Sequence, residues 1–132
     1  IRGFEVEVQA SLPWRLGLEL SAHRVDGRAL DDSAALDNIP VPTATTRLRR
    51  EFDRGYVWVR TGLYGQLDEP GPTERERPGY GLLDAGAGAH LGRVELDLVG
   101  RNLLDKAYLV SPDARATLAA GITFIASASV SF

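Results

Sequence analysis

The chain has 132 residues, enough for one domain or for a portion of a larger one. Its 18 acidic and 15 basic side chains leave a net charge of −3, which excludes the basic footprint that nucleic-acid binding needs. With no cysteine, a disulfide framework and a thiolate metal site are both excluded, and no apolar run reaches the roughly 18 residues of a spanning helix.

The first segment, 3–12, places Phe4, Val6, Val8 and Ala10 opposite Glu5, Glu7 and Gln9. A period of two predicts a strand with one dry side and one polar side. Pro13 interrupts it, and the alternation resumes at Trp14: Leu16, Leu18, Leu20 and Ala22 against Arg15, Gly17, Glu19, Ser21 and His23. So short a connection predicts an antiparallel hairpin. From 25 to 42 the pattern dissolves into Asp, Gly, Ala and two prolines, the composition of a long loop. Residues 43–52 resume with Ala44, Thr46, Leu48 and Phe52 on the dry face, interrupted there by Arg50. A tight turn at 53–55 leads to a strand over 56–66. Its dry face is read as Val57, Val59, Thr61 and Leu63, because the other set carries Arg60 in mid-strand; this turns Trp58 to the polar side.

A second long loop, 67–79, is rich in Pro, Gly and charge. The strand over 80–90 opposes Leu83, Ala85, Ala87 and Ala89 to Asp84, Gly86, Gly88 and His90. A turn at 91–92 precedes a strand over 93–101 with Val94, Leu96 and Leu98 dry. A third loop, 102–120, leads to the closing strand over 122–132. There Ile122, Phe124, Ala126, Ala128, Val130 and Phe132 share one face.

Connections therefore alternate short and long, as in outer-membrane barrels with brief periplasmic turns and extended outer loops. The aromatics sort the same way. Trp14, Phe52, Tyr56 and Phe132 fall at the short-turn end, and Tyr64, Tyr80 and Tyr108 at the long-loop end. Two aromatic girdles at the bilayer interfaces are the expectation. Charged side chains, among them Glu5, Glu7, Arg47, Arg60, Glu95 and Asp97, fall on the non-lipid side, where the carboxylates are expected to pair with arginines of neighbouring strands. A soluble antiparallel sandwich also alternates, but the dry face here is thin in large side chains, whereas hydrocarbon asks for no interlocking packing. In a barrel wall only every second residue meets lipid, so an overall hydrophobic content of 44 % fits. The fold expected is all-β: about seven strands of an antiparallel up-and-down transmembrane barrel. Bacterial barrels have even strand numbers, so further strands are expected before Ile1, which opens the chain without methionine.

Enzyme chemistry has little support. Glu5 with Glu7 and Glu95 with Asp97 are same-face carboxylate pairs, His23 and His90 lack ligand spacing, and Gly86 and Gly88 have no helix after them to hold phosphate. Asn102 and Asp105, at a strand–loop junction, suit local backbone hydrogen bonds. No cofactor is expected.

Residues 100–108 (GRNLLDKAY), followed by Gly121 and a strand ending in Phe132, resemble the carboxyl-terminal signature of TonB-dependent outer-membrane receptors. Asn102, Asp105, Lys106 and Tyr108 carry that motif. The opening stretch 1–7 (IRGFEVE) resembles the family's Gly-x-Glu strand, residues 37–42 its Ile-Pro-Pro stretch, and 78–80 a loop-to-strand entry. Leu104 departs from the usual aromatic, and Ala120-Gly121 stands where glycine-arginine is common. The resemblance implies the last part of a 22-stranded barrel around an upstream plug, in a Gram-negative outer membrane. It further implies uptake of a scarce ligand such as a ferric siderophore or cobalamin, driven by the TonB complex through the plug. The terminal strand, with Phe132 and the outward positions Phe124, Ala128 and Val130, would be read by the barrel-assembly machinery. A porin- or adhesin-like barrel and a soluble β-sandwich binding domain are the alternative readings.

Overall fold

In the computed structural model, residues 1–30, 34–113 and 115–132 are described; residues 31–33 and 114, inside two of the expected long loops, lie outside them. Seven strands form: β1 (Arg2–Leu12), β2 (Leu16–Asp26), β3 (Thr43–Phe52), β4 (Gly55–Tyr64), β5 (Tyr80–Leu91), β6 (Val94–Arg101) and β7 (Thr123–Val130). They make one sheet in sequence order, every neighbouring pair antiparallel. The sheet is open: β1 and β7 do not meet. Strand lengths of 8 to 12 residues bracket the roughly 9–11 needed to cross a bilayer at a tilt.

Each short connection has its own local cause. Leu12 pairs with Leu16 across Pro13, Trp14 and Arg15, and both Trp14 (φ 62°) and Arg15 (φ 57°) are left-handed. Pairing therefore resumes at Leu16 and not at Trp14, since neither turn residue has an extended backbone. Leu91 pairs with Val94 across Gly92 and Arg93, with Gly92 at φ 67°. Glycine first, at positive φ, suits the two-residue hairpin turn that keeps the right-handed strand twist. The long connections run from 27 to 42, 65 to 79 and 102 to 122.

Register decides the faces, because a slip of one residue would exchange them throughout. Val8, Leu20, Thr46, Thr61 and Leu83 are successive cross-strand partners on one side. Glu19, Arg47, Arg60 and Asp84 are successive partners on the other. Val57, Val59, Thr61 and Leu63 lie on the apolar side and Trp58 on the polar one, as the alternation over 56–66 indicates. Among the described residues no second sheet covers either side. Of these residues, Val41 is the buried apolar side chain and Asn102 the buried polar one, and both belong to loops. The sandwich reading fails here: Leu96 and Phe124 are 40 % and 68 % exposed instead of facing one another across a sealed interior.

Candidate functional site

The apolar side of the sheet is a continuous surface. Leu20, Val57, Val59, Leu96, Leu98 and Phe124 are all exposed on it. Exposed apolar patches beyond a few hundred Å² mark contact with a partner or a membrane, and this one extends across all seven strands. Phe124, Ala128 and Val130 lie on it opposite Gly100, Leu96 and Val94. Phe132 follows two residues after the last paired position and is fully exposed.

The girdle expectation is corrected by the register. Phe52 belongs to the apolar side at the short-turn end. Trp14 sits in the turn itself, 81 % exposed. Tyr56, Tyr64 and Tyr80, however, lie on the polar side, paired with Glu51 and Gly88, with Thr43, and with one another. Strand-end position alone misassigns them, because the parity of each residue decides its face. The aromatics on the apolar side at the long-loop end are Phe4 and Phe124. Counting back in twos from Val8 reaches Phe4, so the signal for that ring lies in the alternation itself.

The polar side carries an ordered lattice. Arg49 lies 3.5 Å over the ring of Tyr56 and donates from Nε to Glu51 at 2.6 Å. The Tyr56 hydroxyl in turn donates to Asp97 across two strands. Arg47 lies 5.2 Å over Trp58. Gly86 and Gly88 exist for these rings. A Cβ at Gly86 would stand 2.6 Å from Trp58 Nε1, and one at Gly88 2.5 Å from the Tyr56 ring. Bare backbone in the strand thus lets an aromatic from the neighbouring strand lie flat across it. An acid–arginine pair across strands joins Glu19 to Arg47 at 3.9 Å, outside the carboxylates for which such pairing is expected. The expected pairing with arginines is corrected for Asp97, whose partner is Tyr56, and for Glu95, which faces His90 at 3.7 Å. His90 stands directly opposite Glu95, and Tyr56 reaches Asp97 over Gly88, whereas no arginine stands opposite either acid.

Nearer the long loops, Tyr64, Tyr80 and Tyr108 stack in a column with centroids 4.7 and 4.6 Å apart. Between this column and β7 lies a depression of about 740 Å³, lined by Arg47, Trp58, Arg60, Tyr64, Arg101 and Tyr108 among others. Among the described residues no cluster of three or more His, Cys, Asp or Glu is placed to hold a metal ion.

Asn102 explains the shape of the third loop. Its Nδ2 donates to the carbonyls of Lys106 and Ala120, both at 3.0 Å, and its Oδ1 accepts from the Lys106 amide at 2.9 Å. Its own amide donates to Asp84 on β5 at 2.9 Å. Asn102 and Asp105 are both left-handed, at φ 50° and 49°, a conformation that asparagine and aspartate tolerate best among residues with side chains. Asp105 accepts from the Ile122 amide at 3.3 Å, tying the loop's end to the start of β7. The motif residues Asn102 and Asp105 therefore act together on one loop, while the Tyr108 ring stacks on Tyr80. Lys106 enters through its backbone.

The three long loops are tied to one another. Glu74 accepts from the amides of Asn38 (2.9 Å) and Gly71 (3.0 Å), Asp37 accepts from the Thr73 amide (3.0 Å), and Arg28 pairs with Glu69. The Arg75 amide donates to the Pro112 carbonyl at 3.0 Å, joining the second loop to the third. Sequence composition marks these stretches as loops but carries no sign of the bonds between the first loop and the second, which span 36 residues or more.

No family model matches the chain, and no curated protein matches its sequence. Among solved structures, the chain is similar to one described as the copper transporter OprC: the TM-score is 0.89 at 19 % identity, over 98 % of this chain and 23 % of that one. At that identity the likeness is one of fold, and the chain spans about a quarter of that protein's length. The chain folds as an all-β, seven-stranded antiparallel sheet that matches a barrel fragment.

Proposed function

We propose that this chain is a strip of the wall of an outer-membrane transporter barrel, with lipid on its apolar side and a polar lumen on the other, in a Gram-negative bacterium. The observation that carries it is the single coreless sheet whose apolar side is exposed across every strand. In water such a surface is unfavourable by about 25 cal/mol per Å². In hydrocarbon it is at home, provided every backbone group is paired. The outer backbone edges of β1 and β7 would then pair with further strands of the same barrel. The role is one of transport and not of catalysis.

The finer reading is TonB-dependent uptake of a scarce ligand, of which a ferric siderophore or cobalamin is one class. It is supported by the motif at 100–108 and by the loop that Asn102 organises. Under it the upstream plug meets the TonB complex, and the terminal strand with Phe132 is the assembly signal. The metal in the name of the structural neighbour is not carried over: this chain has neither cysteine nor methionine, the ligands that favour copper(I).

The test is a cysteine scan of 56–64 in the full-length protein in membranes, with any cysteine outside these 132 residues replaced, since the 132 residues themselves carry none. Spin labels at positions 57, 59, 61 and 63 should be reached by oxygen dissolved in lipid, and those at 56, 58, 60 and 62 by a water-soluble relaxant. Equal access on both sets, or a full-length protein soluble without detergent, would refute the barrel reading.

A further inference from the structure

Charge on the apolar side is confined to its two ends, and at the short-turn end the strands carry one such residue, Arg50. It pairs across to Leu16 and Val57, both apolar. Its guanidinium carbon lies 5.2 Å from the centre of the Phe52 ring, so the side chain leans toward the end of the strand. Among the described residues the acids near it are already engaged. Glu51 is held by Arg49, and Asp53 is paired with Arg15. None of the described carboxylates pairs with Arg50. Around it Trp14, Arg15, Glu51, Phe52 and Asp53 line a shallow depression of about 400 Å³, and Trp14 projects from the turn.

We propose that Arg50 and Trp14 form a binding site for the headgroup of an anionic phospholipid at the short-turn rim of the barrel. The inference rests on the reading of the apolar side as the lipid-facing one. Arg50 lies two residues inside the end of β3, about 7 Å at strand spacing, which the length of an arginine side chain spans. The guanidinium therefore reaches headgroup depth while its aliphatic stem stays along the apolar wall. Its planar fork of N–H donors fits two phosphate oxygens at once. The exposed indole supplies the amphipathic ring that is most stable at the same depth. The bound species is the lipid and not free phosphate, because the acyl chains lie along the wall formed by Leu16, Leu48 and Val57.

The experiment reconstitutes the full-length protein in nanodiscs of mixed phosphatidylglycerol and phosphatidylcholine and measures co-purifying lipid by native mass spectrometry. Wild type should enrich phosphatidylglycerol, and Arg50→Gln should lower that enrichment about fivefold, the effect of one cation at a membrane surface. Arg50→Lys should restore only part of it, because the ammonium keeps the charge and loses the fork. Added inorganic phosphate should not displace the lipid; if it does, the site takes a free anion and the proposal falls. Equal enrichment in wild type and Arg50→Gln, with both proteins inserted, would also overturn it while leaving the barrel reading intact. Failure of the wild type to insert would instead remove the barrel reading and this site with it.

Discussion

Single residues in this sheet act through space left for them as much as through groups they carry. Asn102 is 5 % exposed and satisfies two carbonyls and one amide of its own loop. Asn102→Ala leaves those groups without partners, and a buried unsatisfied polar group costs about 1–3 kcal/mol. The full-length protein in detergent should lose that much stability in denaturant unfolding, with the loss concentrated in the loop at 102–122 by hydrogen exchange. Gly88 is the complementary case. Its missing Cβ makes room for the Tyr56 ring, which it would meet at 2.5 Å, and for Asp97, at 2.7 Å. Gly88→Ala should break the Tyr56–Asp97 hydrogen bond and destabilise by about 1–3 kcal/mol, the usual cost of overpacking. Adding Tyr56→Ala to the same variant should recover part of that loss, because the clash and the ring disappear together. In the sequence, Gly86 and Gly88 are visible only as small residues in a strand, and nothing local says that Trp58 and Tyr56 will cover them.

At the scale of the strand, one substitution separates lipid from lumen. Val59 lies near the middle of β4 on the apolar side, and its neighbour Trp58 faces the polar side. Val59→Arg should lower folding stability in lipid by about 2–4 kcal/mol, the cost of a basic side chain at the bilayer midplane. Gly62→Arg is a poor control because of its crowding by Tyr64; Ser127→Arg, exposed on the polar side opposite Asp97, is the better one and should cost little. Folding into vesicles, followed by gel mobility with and without heating, reads both. The long loops behave as an element of their own. Glu74 is one of the acceptors that join the first loop to the second, through the Asn38 amide, and it also accepts from Gly71 within its own loop. Glu74→Ala should leave the unfolding midpoint of the barrel nearly unchanged and speed proteolytic cleavage within 34–42 and 65–79, since the loop contacts and not the sheet depend on it.

For the whole molecule, the distribution of polarity is the argument. A soluble domain hides its apolar side chains, and this sheet hides almost none. Its opposite side is charged from β1 to β6, with aromatic rings and guanidiniums layered over it. The two sides demand two different solvents, and a barrel in a membrane supplies both. The similarity in fold to a structure described as a copper transporter agrees with that arrangement.

The alternation of apolar and polar residues by itself determined the number of strands, their order, the short and long connections, and which residues share a side. Those properties follow from a backbone that turns each successive side chain to the opposite face. Strand ends were legible to within a few residues, and Trp14 was displaced because its left-handed backbone shows in no pattern of polarity. Only the tertiary structure decided what the polar side chains do with one another. Tyr56 and Tyr80 sit at strand ends as a girdle requires, yet their parity turns them to the polar side, where the fold brings them to Asp97 and to a stacked tyrosine column. The bonds among the three loops join residues far apart in the chain, so no periodicity records them; they exist because the sheet brings the three loop bases side by side.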